Sequence, residues 1–172
     1  MDLIIRPIKV EDSKQVVELR TMKGVMENTL AMPSEREDKI REKTLNLGIN
    51  DYIFVAEIKE ENDYKIVGIA ALNVENSPRL RHSAGIGISV HTKYQGMGIG
   101  KKLLNKLLDI SDNWLMLVRI ELGVLCDNDK AINLYKSLGF VVEGKKKYTT
   151  IRNGKYVDEY IMGRYNENLI NK

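Results

Sequence analysis

Apolar residues recur at helical spacing in some stretches of the chain and at every second position in others, and the changes of period divide it into elements. Residues 3–6 open with Leu3, Ile4 and Ile5 and stop at Pro7, which predicts a short first strand. Residues 10–22 carry Val16, Val17 and Leu19 at helical spacing, with Glu11, Asp12 and Ser13 supplying acids and a cap at the start. Residues 24–33 have no period. The run Ser34-Glu35-Arg36-Glu37 has the form of a capping box and predicts a second helix from Ser34 to about Leu47, ended by Gly48.

From Tyr52 the period becomes two. Residues 52–58 and 65–74 read as the strands of a hairpin, joined by a polar turn at 60–63. Ser83–Val90 is another strand, with Ile86, Ile88 and Val90 on one face and Gly85, Gly87 and Ser89 on the other, where small residues allow close approach to the backbone. A glycine-rich turn leads into a helix from about Gly100 to Trp114, whose apolar face is Leu103, Leu104, Leu107, Leu108 and Ile110. Arg119–Leu125 alternates as a strand. Asp127-Asn128-Asp129 offers N-caps for a short helix through Leu138, closed by Gly139. The remainder, 140–164, contains Asn153-Gly154, a strong hairpin signal. With no repeat, low-complexity stretch or linker, residues 1–172 are expected to form a single α+β domain around a mixed sheet.

Composition narrows the function classes. The 172 residues carry a net charge of +3, with Lys and Arg scattered, which gives no footprint for nucleic acid. The densest cluster, Lys145-Lys146-Lys147, suits a solvated strand edge or an anionic ligand. A single cysteine, Cys126, excludes an intrachain disulfide and a cysteine-based metal site, and His82 and His91 are isolated, so no metal is expected. The N-terminus lacks the basic and apolar regions of a signal peptide, and no apolar run approaches the roughly 18–20 residues of a membrane span. A cytoplasmic protein with no membrane partner is expected.

The most informative segment is Val90-His91-Thr92-Lys93-Tyr94-Gln95-Gly96-Met97-Gly98-Ile99-Gly100-Lys101. A strand enters, alternating glycines follow and an amphipathic helix leaves. Glycines let successive amides turn toward one concavity, and the helix start adds its positive end, so the segment suits a phosphate or pyrophosphate. Two nucleotide motifs fail on spacing. A P-loop ending at Gly100-Lys101 would need its first glycine at Gln95 and a hydroxyl where Lys102 stands; a dinucleotide fingerprint from Gly96 would need its third glycine at Lys101. A glycine turn that holds no ligand is the remaining plain alternative.

Gln95-Gly96-Met97-Gly98-Ile99-Gly100 resembles the acyl-CoA loop, [Gln/Arg]-Gly-x-Gly-x-[Gly/Ala], of the GCN5-related N-acetyltransferase (GNAT) family. The series Asn128, Ala131, Ile132, Leu134, Tyr135, Gly139 and Phe140 resembles that family's second cofactor motif, in the right order along the chain. The resemblance implies a GNAT fold: a mixed, mostly antiparallel sheet of six or seven strands flanked by about four helices. It implies acetyl-CoA as cosubstrate and direct acetyl transfer to a primary amine. Ile88, Ser89 and Val90 would then pair with the pantetheine arm, and the Val90 amide would polarise the thioester carbonyl. The amides of Gln95, Gly96, Met97, Gly98, Ile99, Gly100 and Lys101 would hold the pyrophosphate. Asn128 would bind the pantetheine arm, and Tyr135 would protonate the departing thiolate; packing against Phe140 is the plain alternative for Tyr135.

The stretches Asn28-Thr29-Leu30, Pro78-Arg79-Leu80-Arg81-His82-Ser83, Asp112-Asn113-Trp114-Leu115, Cys126-Asp127-Asn128 and residues 152–162 resemble the YhhY-type bacterial L-amino-acid N-acetyltransferases. This implies the α-amine of a free amino acid as acceptor, with Arg79, Arg81 or His82 as candidate partners of its carboxylate. The alternatives are a polyamine, an aminoglycoside or a protein N-terminus, or a non-catalytic acyl-CoA sensor. Glu27, Glu37 and Asp38 are the acids a polyamine pocket would draw on. The general base is open among Glu121, Asp158 and Glu159, each of which also suits a surface charge pair. Cys126 is expected to be a small strand-end hydrophobe rather than a covalent acceptor. Tyr156, Val157, Tyr160 and Ile161 would serve a homodimer interface or a buried final hairpin equally well.

Overall fold

The computed structural model describes residues 2–60 and 63–170. Seven strands, β1 (Leu3–Pro7), β2 (Asp51–Glu60), β3 (Asp63–Val74), β4 (Ser83–Val90), β5 (Arg119–Leu125), β6 (Val141–Arg152) and β7 (Lys155–Tyr165), are hydrogen-bonded in the order β1-β2-β3-β4-β5-β7-β6. The helices are α1 (Ser13–Arg20), α2 (Glu37–Leu45), α3 (Ile99–Asp109), α4 (Asp129–Lys136) and the single turn α5 (Glu167–Ile170). This is the expected α+β architecture, with seven strands and one helix more than anticipated. The turn expected at 60–63 falls in part on residues 61 and 62, outside the described residues.

Backbone contacts group the chain into two compact units. One comprises the residues up to Leu72 together with Gly87–Leu107, and the other Asn73–Ile86 together with residues from Leu108 onward.

In the first unit β1 pairs antiparallel with β2, and Val16, Leu19, Val25, Val55 and Ile66 form a buried cluster. Two helix starts differ from the pattern. The first helix opens as a 3-10 turn, Val10–Asp12, because the Asp12 carboxylate takes the Lys9 amide at 2.7 Å and both Arg6 Nη atoms at 2.8 and 2.9 Å; α1 proper begins at Ser13. The capping box at Ser34 does not form. Glu35 is drawn instead to Arg20, at 2.7 and 2.8 Å, Arg36 stays extended, and α2 starts at Glu37 and ends at Leu45. On α3, Leu103, Leu104 and Leu107 are fully buried, a burial that contributes about 1.5–3 kcal/mol per side chain. Gly68 on β3 lets α3 come close: a Cβ there would stand 2.9 Å from Leu103 Cδ1.

In the second unit β5 carries the alternation read from its sequence, with Ile120, Leu122 and Val124 buried and Glu121 and Gly123 open. It pairs in parallel with β4 at Ser83, Ala84 and Gly85, and antiparallel with β7 along its whole length. The predicted long helix stops at Asp109 and passes into a π turn, Ile110–Trp114, closed by the Leu115 amide on the Ile110 carbonyl at 3.0 Å. Asn153 and Gly154 turn β6 into β7 with φ of 51° and 75°, both positive as a two-residue type I′ turn requires. Tyr156 is 68% exposed, so the final hairpin is not the fully buried one that was an alternative.

Candidate active site

The glycine loop lies in the first unit. After Val90 the chain makes a 3-10 turn, Thr92–Tyr94, capped by His91, whose Nδ1 accepts from the Lys93 amide at 3.2 Å. The His91 amide donates to the Val67 carbonyl at 2.9 Å, which fixes the exit of β4 against β3. Gln95 Nε2 donates to the Val90 carbonyl at 3.0 Å, and the Gln95 amide leans on Thr92 at 3.4 Å. Gln95 therefore braces the loop against the strand end, and among the described residues no acceptor meets the amides that follow it up to Lys101.

Gly96 and Gly98 both have φ of +79°, a left-handed conformation that side chains oppose. A Cβ at either would meet nothing within 4 Å, so each faces open space. The first helical bond of α3 runs from the Lys102 amide to the Gly98 carbonyl at 3.1 Å. The amides of Ile99, Gly100 and Lys101 precede that ladder and remain to bind something else. Two glycines turned out of the way and three amides at a helix start make a concavity whose chemistry fits a pyrophosphate.

A polar cluster missed in the sequence steadies this loop. Tyr94 donates its hydroxyl to Glu60 at 2.6 Å, Lys65 Nζ lies 3.8 Å from the same carboxylate and 5.9 Å from the Tyr94 ring centroid, and His91 meets Tyr94 edge to face at 5.1 Å. Burial, with Lys65 and Lys93 adding to it, holds the His91 imidazole below its ordinary pKa and so favours its neutral form. These residues are 25 or more apart in sequence on one side, so no local pattern announces the cluster.

Asn128, Tyr135 and Cys126 lie in the second unit. Asn128 is the N-cap of α4: its Oδ1 accepts from the Ala131 amide at 3.2 Å, and among the described residues no acceptor meets its Nδ2. Tyr135, near the end of α4, is 5% exposed, and its ring meets Phe140 edge to face at 5.7 Å. Burial pushes the phenol up to about 12, so at neutral pH it holds its proton and is a donor rather than a base. No hydrogen bond engages its hydroxyl among the described residues. Cys126 is partly buried, and desolvation raises its thiol pKa, the opposite of an activated nucleophile.

The carboxylates left open as general base separate clearly. Glu121 is exposed and paired with Arg119 at 3.0 Å, and Arg119 also binds Glu143 at 2.5 Å. Asp158 is paired with Lys145 at 2.8 Å and accepts the Tyr148 amide at 3.0 Å, and these partners hold its carboxyl below the usual range. Glu159 is half-buried and, among the described residues, without an ion pair. It lies across Gly123, where a Cβ would stand 2.5 Å from its carboxyl carbon. Gly123 is the residue the sequence pattern did not single out; a glycine on the open face of an otherwise apolar strand is the signal that marks it.

Of the charged residues considered for the acceptor, Arg79, Arg81 and His82 are exposed around the turn before β4, closed by the Leu80 amide on Ser77 at 2.8 Å. Asp38 is bound to Arg36 at 2.8 Å and Glu27 to the Gly24 amide, so two of the three acids that a polyamine pocket would draw on are already engaged. Among the described residues no helix is long and apolar enough to cross a membrane.

Residues 22–140 match the acetyltransferase (GNAT) family. The L-amino acid N-acetyltransferase AaaT of Escherichia coli (strain K12) is 32% identical over 163 residues, 95% of this chain and 98% of its own. A spermidine N(1)-acetyltransferase of Vibrio cholerae serotype O1 is 30% identical over 91% of this chain and 88% of its own. Among solved structures, the spermidine N-acetyltransferase from Vibrio cholerae in complex with CoA and spermine has a TM-score of 0.82 at 27% identity, covering 98% of each chain. Loop, helix start, second motif and these matches agree: the chain belongs to the acetyltransferase (GNAT) family and is an N-acetyltransferase.

Proposed function

We propose that the chain, acting as one domain over residues 1–172, transfers acetyl from acetyl-CoA directly to the α-amine of a free L-amino acid. The observation that carries the acetyl-CoA half is the open cradle at Gly96 and Gly98 ahead of the α3 amides. In this reading the amides from Gly96 to Lys101 hold the pyrophosphate, with Gln95 as their brace, and Ile88, Ser89 and Val90 offer backbone to the pantetheine arm. The Nδ2 of Asn128, left over after capping α4, donates to a carbonyl of that arm. The Val90 amide meets the oxygen of the thioester, where one such donor is worth about 3–4 kcal/mol in the transition state.

Tyr135 supplies the proton of the leaving thiolate. A buried phenol pushed up to about 12 holds its proton at neutral pH and lends it to the thiolate, a step uphill by itself that is completed as the phenolate takes the more acidic proton of the acylated amine. Direct transfer is supported by Cys126, whose thiol is made less acidic by burial. A free amino acid is supported by the relative that acetylates L-amino acids and by the exposed Arg79 and Arg81, either of which would pair with a carboxylate. A cytoplasmic setting suits a protein that draws on acetyl-CoA.

The test is a panel of acceptors: free L-amino acids, spermidine, an aminoglycoside and short peptides, each with acetyl-CoA, read by thiol release. Release with amino acids, methionine and phenylalanine foremost, supports the reading. Release confined to spermidine would move the acceptor to polyamines and leave the acetyltransferase intact.

A further inference from the structure

Three carboxylates gather where β5 ends and β7 begins. Asp127 is bound by Arg152 and Asp158 by Lys145, while Glu159, beside them, has no ion pair among the described residues. Register puts Lys146 of β6 directly opposite Glu159, yet the two do not pair. The carboxylate turns the other way, diagonally across β5, and lies over Gly123 in space that any other residue would fill with its Cβ. A glycine in mid-strand weakens packing, so its place here is explained by what it admits. A half-buried carboxylate that bypasses a neighbouring lysine is suited to a cation brought by a substrate.

We propose that Glu159, seated over Gly123, binds the ammonium group of the acceptor and takes its proton. The proposal rests on the acetyltransferase reading above. One N–H proton of the ammonium passes to the Glu159 carboxylate. The freed lone pair forms a C–N bond to the thioester carbonyl carbon, the C–S bond breaks, and the sulfur takes the Tyr135 proton. The second proton leaves nitrogen for the Tyr135 phenolate, and Glu159 gives its own proton to water, so one proton is released per acetyl transferred. The charged and titratable groups around Glu159 are Glu121, Cys126 and Asp127 from β5 and its exit, Lys145 and Lys146 from β6, and Asp158 and Tyr160 on its own strand.

The experiment measures kcat/KM from pH 6 to about 10 for the wild type, Glu159→Gln and Gly123→Ala, with L-methionine and with spermidine as acceptors. Acetyl-CoA protection against heat serves as the folding control. Wild-type kcat/KM should level off near neutral pH. Glu159→Gln should lie about a hundredfold lower at pH 7, within the range of general-base effects, and climb about tenfold per pH unit as the free amine becomes available in solution. Gly123→Ala, whose methyl displaces the carboxylate, should behave in the same way. A Glu159→Gln profile that matches wild type, or one lowered equally at every pH, overturns the base, as does a defect in Gly123→Ala alone. A wild type that turns over neither amine overturns the reading of the acceptor as a free amino acid or polyamine, and this proposal falls with it.

Discussion

Tyr135 and Phe140 are joined twice: the Phe140 amide donates to the Tyr135 carbonyl at 3.1 Å, and their rings meet edge to face at 5.7 Å. With the Gly139 amide on Lys136 at 3.1 Å and Gly139 at φ +89°, these are the two bonds and the apolar contact of a Schellman closure of α4. The end of the helix is thereby the mount of the phenol. Packing and proton donation are not rival roles for Tyr135, since the contact that holds the ring also dries it and raises its pKa.

Tyr135→Phe keeps the ring and removes the proton. Its kcat should fall about a hundredfold, the scale of general acid catalysis, with the Kd for acetyl-CoA changed less than about twofold. Steady-state kinetics with calorimetry for acetyl-CoA would check this; unchanged kcat would remove the proposed role.

The same phenol makes a prediction about alkaline stability. Its pKa is raised from 10 in the unfolded chain to about 12 in the fold, so its contribution is intact below pH 10 and is lost as pH rises toward 12. Two units correspond to about 2.7 kcal/mol. Urea unfolding at pH 9 and at pH 11 should show the wild type losing roughly 1–1.5 kcal/mol more than Tyr135→Phe, half of the full window.

Much of the fold was legible because period and caps are local. Ser83–Val90 and Arg119–Leu125 have the bounds that alternation gave them, and Asn128 and Gly139 stand at the two ends of their helix. What failed was decided at a distance. Ser34 could cap α2, but its neighbour Glu35 binds Arg20, fifteen positions away, and a bidentate ion pair outcompetes one capping hydrogen bond. The site divides in the same manner. The glycine loop is a contiguous motif, but Glu159 over Gly123 depends on the register of two strands that sequence alone does not supply.

Gly98→Val should abolish acetyl-CoA binding. The position has room for the side chain but not the backbone for it: φ of +79° costs a residue with a Cβ about 1–2 kcal/mol, more when β-branched, and the isopropyl group would stand in the cradle. Calorimetry should detect no heat of binding at concentrations that saturate the wild type, while circular dichroism stays native. Retained tight binding would disprove the loop assignment.

Arg164 ties the end of α4 to the middle of the preceding π turn. It binds Asp112 at 2.9 and 2.7 Å and donates to the Leu138 carbonyl at 3.1 Å, just beyond α4. Arg164→Met should cost about 2 kcal/mol in urea unfolding by leaving a partly buried carboxylate unpaired. It should also lower kcat by loosening the Tyr135 mount; a loss of stability with kcat untouched would separate the two.

The central claim is tested most directly by following labelled acetyl. Protein, [14C]acetyl-CoA and L-methionine are mixed, and label and free thiol are counted together through many turnovers. Direct transfer predicts N-acetylmethionine and CoA formed in equal amounts, with no label retained on the protein when methionine is omitted. Absence of labelled product with every free amino acid, or label accumulating on the protein, would contradict it.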